Sequence, residues 1–360
     1  MNEAMTHFIG ESFNRIRAYD LFFVILLGYF FRSVDSPHQM NLLADNLISP
    51  VVLCFALGVV ARWIKSDLSI PEPIYQGLSI YLLLAIGLKG GKALAVTPFS
   101  EVLVPAIMTF ALGCITAASA FFLMKNVGRL NRENAAAVAA HYGSVSVVTF
   151  LAATEAVKRT GMSYEGYLPA LVAVLEVPGI IVALLFASSS GGKDGGGWKR
   201  ALHEVITGKS IVLLVGGLII GGVCGPAKLV DVDPFFVGAF KGALCIFLLE
   251  LGLIAGKRLA DVGKAGWRLI ALGCFLPVFH GALGVAGAIL AGMSPGGAAI
   301  FGAMVGSASY IAAPAAVRIA LPRANPGYYL TLSLGITFPF NLAFGIPLLQ
   351  KFANLFHSWL

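Results

Sequence analysis

Charge is what this sequence has least of. Asp, Glu, Lys and Arg make up 12% of its 360 residues, about half of the ~25% usual in soluble domains. Hydrophobic residues reach 58%, above the roughly 45–50% of such domains, so an ordinary soluble domain is excluded. Enzymatic groupings are missing as well. The nearest approach to a phosphate loop, Gly87-Leu88-Lys89-Gly90-Gly91-Lys92, has neither the spacing nor a hydroxyl residue after the lysine. No nucleophile stands at telling spacing from a base. The five cysteines (Cys54, Cys114, Cys224, Cys245, Cys274) form no C-x-x-C pair and no Cys/His cluster, so they read as small packing residues rather than metal ligands or a disulfide framework. No enzyme and no metal centre is expected. Nor is a cleavable signal peptide, because Glu3, Glu11 and Asp20 precede or open the short apolar run 21–31 and no small-residue cleavage site follows it. Residues 1–40 read as an N-terminal extension at the membrane surface, with a very short extra span as the alternative.

What is abundant is the apolar run long enough to cross about 30 Å of hydrocarbon. The expected fold class is an all-α polytopic membrane protein with ten transmembrane helices, at about 46–63, 75–94, 102–124, 134–156, 167–188, 210–229, 235–256, 268–293, 296–318 and 328–349. The second is the weakest, because its apolar stretch runs into Lys89-Gly90-Gly91-Lys92. A glycine-rich linker, 189–208, separates a first five-helix repeat, 41–188, from a second, 209–360. The halves echo each other in order: Gly87, Gly91 and Lys92 recur 165 positions later as Gly252, Gly256 and Lys257, Gly143-Ser144-x-Ser146 recurs as Gly306-Ser307-x-Ser309, and Pro178 recurs as Pro339. Five spans per half are an odd number, so the repeats are expected to be inverted.

The formal charge of +7 sits mostly in short loops. Arg62, Lys65, Lys125, Arg129, Arg132, Lys257, Arg258, Arg318 and Arg323 crowd one side, which the positive-inside rule makes cytoplasmic. That explains the basic excess without a nucleic-acid partner. It puts the linker inside and the C-terminus outside, in a multi-pass protein of the bacterial inner membrane.

Two polar islands interrupt these apolar runs. Gly143-Ser144-Val145-Ser146, followed by Thr149, lies in the fourth run, and Gly306-Ser307-Ala308-Ser309, closed by Pro314, lies in the ninth. A membrane helix can break only where protein or enclosed water satisfies the released backbone groups, and paired breaks in two halves point to a transporter's binding site. The half-helix after each break starts with free N–H groups and the positive end of its dipole, which suits a small anion. Gly143, Ser144, Ser146, Thr149, Ser307, Ser309 and Ala312 are the expected substrate contacts. Buried carboxylates in a membrane face the protein interior and have partners. Glu176, beside Val177-Pro178, is the candidate for a coupling ion or proton, together with His141 and Tyr310. Glu250 reads equally as a functional group or as a structural pair with Lys241 or another buried group. His280 reads as a packing residue, and Asn341 as either a site residue or a bridge between helices. Pro178, Pro314 and Pro339 are expected to shape the breaks.

The stretches Ile70-Pro71-Glu72, Ile86-Gly87-Leu88-Lys89-Gly90-Gly91, Gly143-Ser144-Val145-Ser146 with Thr149, Val177-Pro178, and Arg318 with Pro322-Arg323-Ala324-Asn325-Pro326 resemble the sodium-dependent bicarbonate transporters of cyanobacteria. The resemblance implies a gate domain of spans 1, 2, 6 and 7 moving against a core domain of spans 3–5 and 8–10. It implies bicarbonate as substrate and Na+ as coupling ion, with no other cofactor. It also implies a PII-like regulatory partner at the cytoplasmic face, and a homo-oligomer is a further expectation. The chain departs from the family at the second break, where Tyr310 stands for an aspartate and Ala312 for a serine. At the first, Val147-Val148 replace a Gly-Ser pair, so fewer oxygen ligands remain for a cation. The expected function is secondary active transport (symport) of a small anion by alternating access. The alternatives are a transporter of another small organic anion on the same scaffold, or a membrane sensor or channel.

Overall fold

The computed structural model describes residues 48–188 and 197–358. The expectations for residues 1–40 and for the glycine-rich centre of the linker, 189–196, lie outside the described residues. Helix starts follow local capping chemistry. Helix α1 (Pro50–Trp63) begins after Ser49, whose side chain accepts from the Val52 amide, with Pro50 in the first turn, where a missing N–H costs nothing. Helices α2 (Glu72–Leu94) and α3 (Phe99–Asn126) follow. Asn131 caps α4 (Arg132–Tyr142) and Ser146 caps α5 (Val147–Arg159). Helix α6 (Leu168–Leu175) gives way at Glu176-Val177 to α7 (Pro178–Ser188). The second part of the expected linker is itself a helix, α8 (Gly197–Thr207). Then come α9 (Lys209–Leu229), α10 (Phe240–Ala265), α11 (Trp267–Leu290), α12 (Pro295–Val305), α13 (Ala313–Ala320) and α14 (Pro326–His357). No strand occurs among the described residues.

Among the described residues, seven segments are long and apolar enough to cross a membrane: α2, α3, α4 with α5, α6 with α7, Lys209–Val232, α11 and α14. Helices α1 and α12 are shorter apolar helices. Large apolar side chains such as Leu57, Ile107, Phe110, Ile219 and Val223 face outward, a surface that suits hydrocarbon and not water. The protein is therefore a multi-pass, all-helical membrane protein.

Glycine sets how closely the helices approach. Helix α1 packs along α10 and α2 along α9. A Cβ on Gly58 would lie 2.9 Å from the Cα of Gly252, and one on Gly87 2.8 Å from the Cα of Gly217, so both contacts are backbone against backbone. This is why the second span stays helical through Lys89-Gly90-Gly91-Lys92: Gly91 meets Gly221 and Gly222 of α9. Elsewhere α3 packs on α4 and α7, and α4 on α7. In the second half α11 packs on α12 and the C-terminal part of α14, and α12 on that same part.

Pro339 does not break its helix. The chain stays helical from Pro326 to His357 but widens into π-type turns at Thr331–Thr337 and Asn341–Gly345, which absorb the hydrogen bond that proline cannot make.

Candidate functional site

The first island is a real break. Helix α4 ends at Tyr142, Gly143 to Ser146 are non-helical, and α5 restarts at Val147. The Thr149 amide donates to the Ser146 Oγ at 3.2 Å. Gly143 is required by crowding: a Cβ there would stand 2.5 Å from the Ala117 Cβ and 2.7 Å from the Gly179 Cα. The second island is longer, running from Gly306 to Ala312 before α13 restarts at Ala313 with Pro314 in its first turn. The Ala313 amide donates to the Ser309 Oγ at 3.4 Å. Ala312 precedes α13 with no side chain to cap it.

The two breaks touch. The Ser146 amide donates to the Ser307 Oγ at 2.8 Å, and the Ser309 amide donates to the His141 carbonyl at 2.8 Å. Each break thus satisfies part of the other's released backbone, as a low-dielectric interior demands. The N-termini of α5 and α13 consequently converge on one small volume in which Ser144, Ser146, Thr149, Ser307 and Ser309 are all buried.

Their hydroxyls are unequally available. The Ser144 Oγ donates to the Glu176 Oε2 at 2.8 Å, and the Ser307 Oγ donates to the Met304 carbonyl at 2.7 Å. In the described bonds the Ser146 and Ser309 hydroxyls act as acceptors, so each keeps a proton to donate to an anion. Ser307→Ala is expected to leave the buried Ser146 amide without its acceptor, at about 1–3 kcal/mol. That should show as a lower unfolding temperature in detergent, and an unchanged one would mean the break-to-break contact contributes nothing.

Glu176 lies in the turn between α6 and α7 and is 1% exposed. Its one described side-chain partner is Ser144, so the carboxylate is tied directly to the first break. His141 is buried too. Its Nδ1 donates to the Ala137 carbonyl at 2.7 Å and its ring stacks on Tyr329, leaving Nε2 unpartnered. Tyr310 extends from the second break. Its hydroxyl is buried against Ser146 without forming a full hydrogen bond, and its ring meets Phe338 edge-on. Asn341 joins the site: its Nδ2 donates to the Gly306 carbonyl at 3.0 Å, while its Oδ1 is buried without a partner.

One expectation changes. Lys241 pairs with Glu155 at 3.7 Å rather than with Glu250, whose Oε2 is buried and unpartnered. His280 sits as a buried packing residue, its Nε2 sharing a 2.7 Å hydrogen bond with the Ser119 Oγ. The sequence reading also missed the walls of the breaks. Gly179 faces Gly143, and Pro277 with Gly281 faces Gly306. It missed a chain in which the Tyr142 hydroxyl reaches the Thr337 Oγ1 at 2.6 Å and Thr337 donates to the Gly273 carbonyl at 2.7 Å. No motif marked these contacts: Gly113 and Ala117 align 164 positions on with Pro277 and Gly281, which differ from them in residue type.

A family model described as the Na+-dependent bicarbonate transporter superfamily matches residues 50–354. The chain belongs to that superfamily. The match runs from the first residue of α1 to within α14, so both breaks, Glu176 and Asn341 lie inside it. No curated protein matches the chain.

Proposed function

We propose that the protein is a secondary active transporter of a small anion, bicarbonate first, which binds between the two helix breaks and crosses by alternating access. The single observation carrying this reading is the contact between the breaks, Ser146 to Ser307 and Ser309 to His141, because it brings two positive helix ends to one buried place. Ten spans in two inverted repeats are supported by the way packing partners exchange. Helix α1 on α10 has its counterpart in α2 on α9, and α3 on α4 in α11 on α12. At finer scale Gly143 rests on Ala117 as Gly306 rests on Gly281. The gate is then α1, α2, α9 and α10, and the core the remaining spans.

Glu176 is the coupling group of this reading. Its counterpart at the repeat offset of 161 positions is Thr337, so the acid exists once. Oxygen donors for sodium are sparse at the breaks: Asn341, bound to Gly306 of the second break, keeps an unpartnered Oδ1, and Tyr310 fills the position where the family would bring an aspartate. Among the described residues no group of three or more His, Cys, Asp or Glu could hold a metal ion. Sodium and protons therefore compete as coupling ion, and Tyr310 with Val147 and Val148 also favours a less polar organic anion as the second reading. A PII-like regulatory partner, a homo-oligomer, the inner membrane and an outward C-terminus are carried as proposals that follow from the family and the loop charges.

Uptake by Ser146→Ala and Ser309→Ala tests the site. Each should raise the KM for the anion by roughly ten- to a hundred-fold, the effect of losing one hydrogen bond to a charged group, with normal amounts of protein in the membrane. Wild-type kinetics in both would remove the breaks from the binding site.

A further inference from the structure

Lysines collect at one mouth of the molecule, outside the site just described. The Glu155 carboxylate near the end of α5 receives Lys158 at 2.9 Å and Lys241 of α10 at 3.7 Å, and Lys92 of α2 pairs with Asp233 at 2.9 Å. Surface ion pairs of this kind need no function. Lys89 does not fit that description. It projects from α2, partly buried, with its Nζ 4.0 Å from the centre of the Phe240 ring, and no described carboxylate lies in ion-pair range of it. It is nonetheless within electrostatic reach of Lys158, Glu155 and Asp233. It also breaks the internal symmetry, because its counterpart 165 positions on is Ile254. One mouth therefore carries a cation that the other lacks.

The geometry points to an anion-collecting station where α2, α5 and α10 meet, in which Lys89, Lys158 and Lys241 around Glu155 hold a small monovalent oxyanion before it reaches the breaks. This rests on the transport reading. Glu155 is nine residues beyond Ser146, about 14 Å along α5 at the helical rise, so an ion held there is one helix length from the N-terminus that receives it. By the loop charges this mouth faces outward. An ammonium held over an aromatic ring is attracted to its face and takes a fixed position, and such a mouth raises the local concentration of a counter-ion and its rate of entry. Lys241 and Lys89 belong to the gate and Glu155 to the core, so the station is divided when the two bodies move.

Uptake of labelled bicarbonate by cells expressing the full chain tests this. Lys89→Met should raise the KM for external anion about five-fold, the loss of about 1 kcal/mol from one charge at close range in water, while the maximal rate persists. Lys89→Arg should restore the wild-type KM, and Lys125→Met, at the opposite face, should not change it. Rising ionic strength should raise the wild-type KM and leave that of Lys89→Met nearly flat. A second arm needs no transport. Val237 is exposed and lies three residues before Phe240, on which Lys89 rests; with Val237→Cys in a background without other cysteines, a negatively charged methanethiosulfonate should react faster than a positively charged one, and Lys89→Met should bring the ratio down several-fold. An unchanged KM and salt dependence, or an unchanged reagent ratio, overturns the station. Absence of wild-type uptake contradicts the transport reading instead, and the reagent ratio then decides the station by itself.

Discussion

Glu176→Gln is expected to cut gradient-driven uptake by roughly ten-fold or more, the factor that about 1.4 kcal/mol represents, while the protein stays folded and unfolds at the same temperature or higher. The substitution is chosen for what it keeps. Glutamine has the same shape, and its amide oxygen can still accept from the Ser144 hydroxyl that Glu176 now receives at 2.8 Å. What it removes is the ionisable group. A carboxylate at membrane depth costs on the order of 3 kcal/mol, and Glu176 is buried with one described side-chain partner, so losing the acid should relieve the fold. Stability and transport should therefore move in opposite directions. Wild-type uptake in Glu176→Gln, measured beside its unfolding temperature, would reduce Glu176 to a structural acceptor for Ser144.

Gly179→Ala is expected to destabilise the protein by about 3 kcal/mol or more, at the upper end of overpacking costs, and to abolish uptake. The added methyl would overlap the backbone carbonyl of Gly143. A flexible side chain could move aside, but this neighbour is main chain at the break itself. Helix propensity argues the other way, since alanine in a helix is favoured over glycine by about 1 kcal/mol, so the sign of the result discriminates. Gly77→Ala is the control: nothing lies within 4 Å of a Cβ there, and the same exchange in the same kind of element should be neutral or mildly stabilising. Unfolding midpoints of the two variants in one detergent decide it, and a Gly179→Ala protein as stable as wild type would show that the closeness of α7 to the first break is not required.

The breaks were legible in the sequence for a physical reason: Gly143-Ser144 and Gly306-Ser307 interrupt apolar runs in which any polar backbone must be satisfied internally. Asn131, Ser294 and Asn325 each cap the helix that follows, a local signal that the sequence reading did not use. What was not legible is how the elements cross. Nothing in the local sequence around Ser307 says that its hydroxyl accepts from Ser146, 161 residues away, and nothing around Pro178 says that Gly179, rather than the proline, meets Gly143. Pro339 looked like a breaker because a proline inside a helix usually is one, yet π-type turns on both sides absorb it. Lys241 and Glu250 stand nine residues apart on α10, about 13 Å and half a turn, and the partner that Lys241 finds across helices is Glu155 of α5. In each case the missing information is tertiary.

The central claim is that an anion crosses this protein through the contact between its two breaks, driven by an ion gradient. Uptake of labelled bicarbonate into proteoliposomes tests it most directly, with a sodium gradient, a proton gradient and no gradient compared on one preparation. The account predicts saturable uptake that accumulates bicarbonate against its own gradient under one of the two ion gradients and falls to the no-gradient level in Glu176→Gln. No uptake above that of protein-free liposomes under any of the three conditions would contradict it.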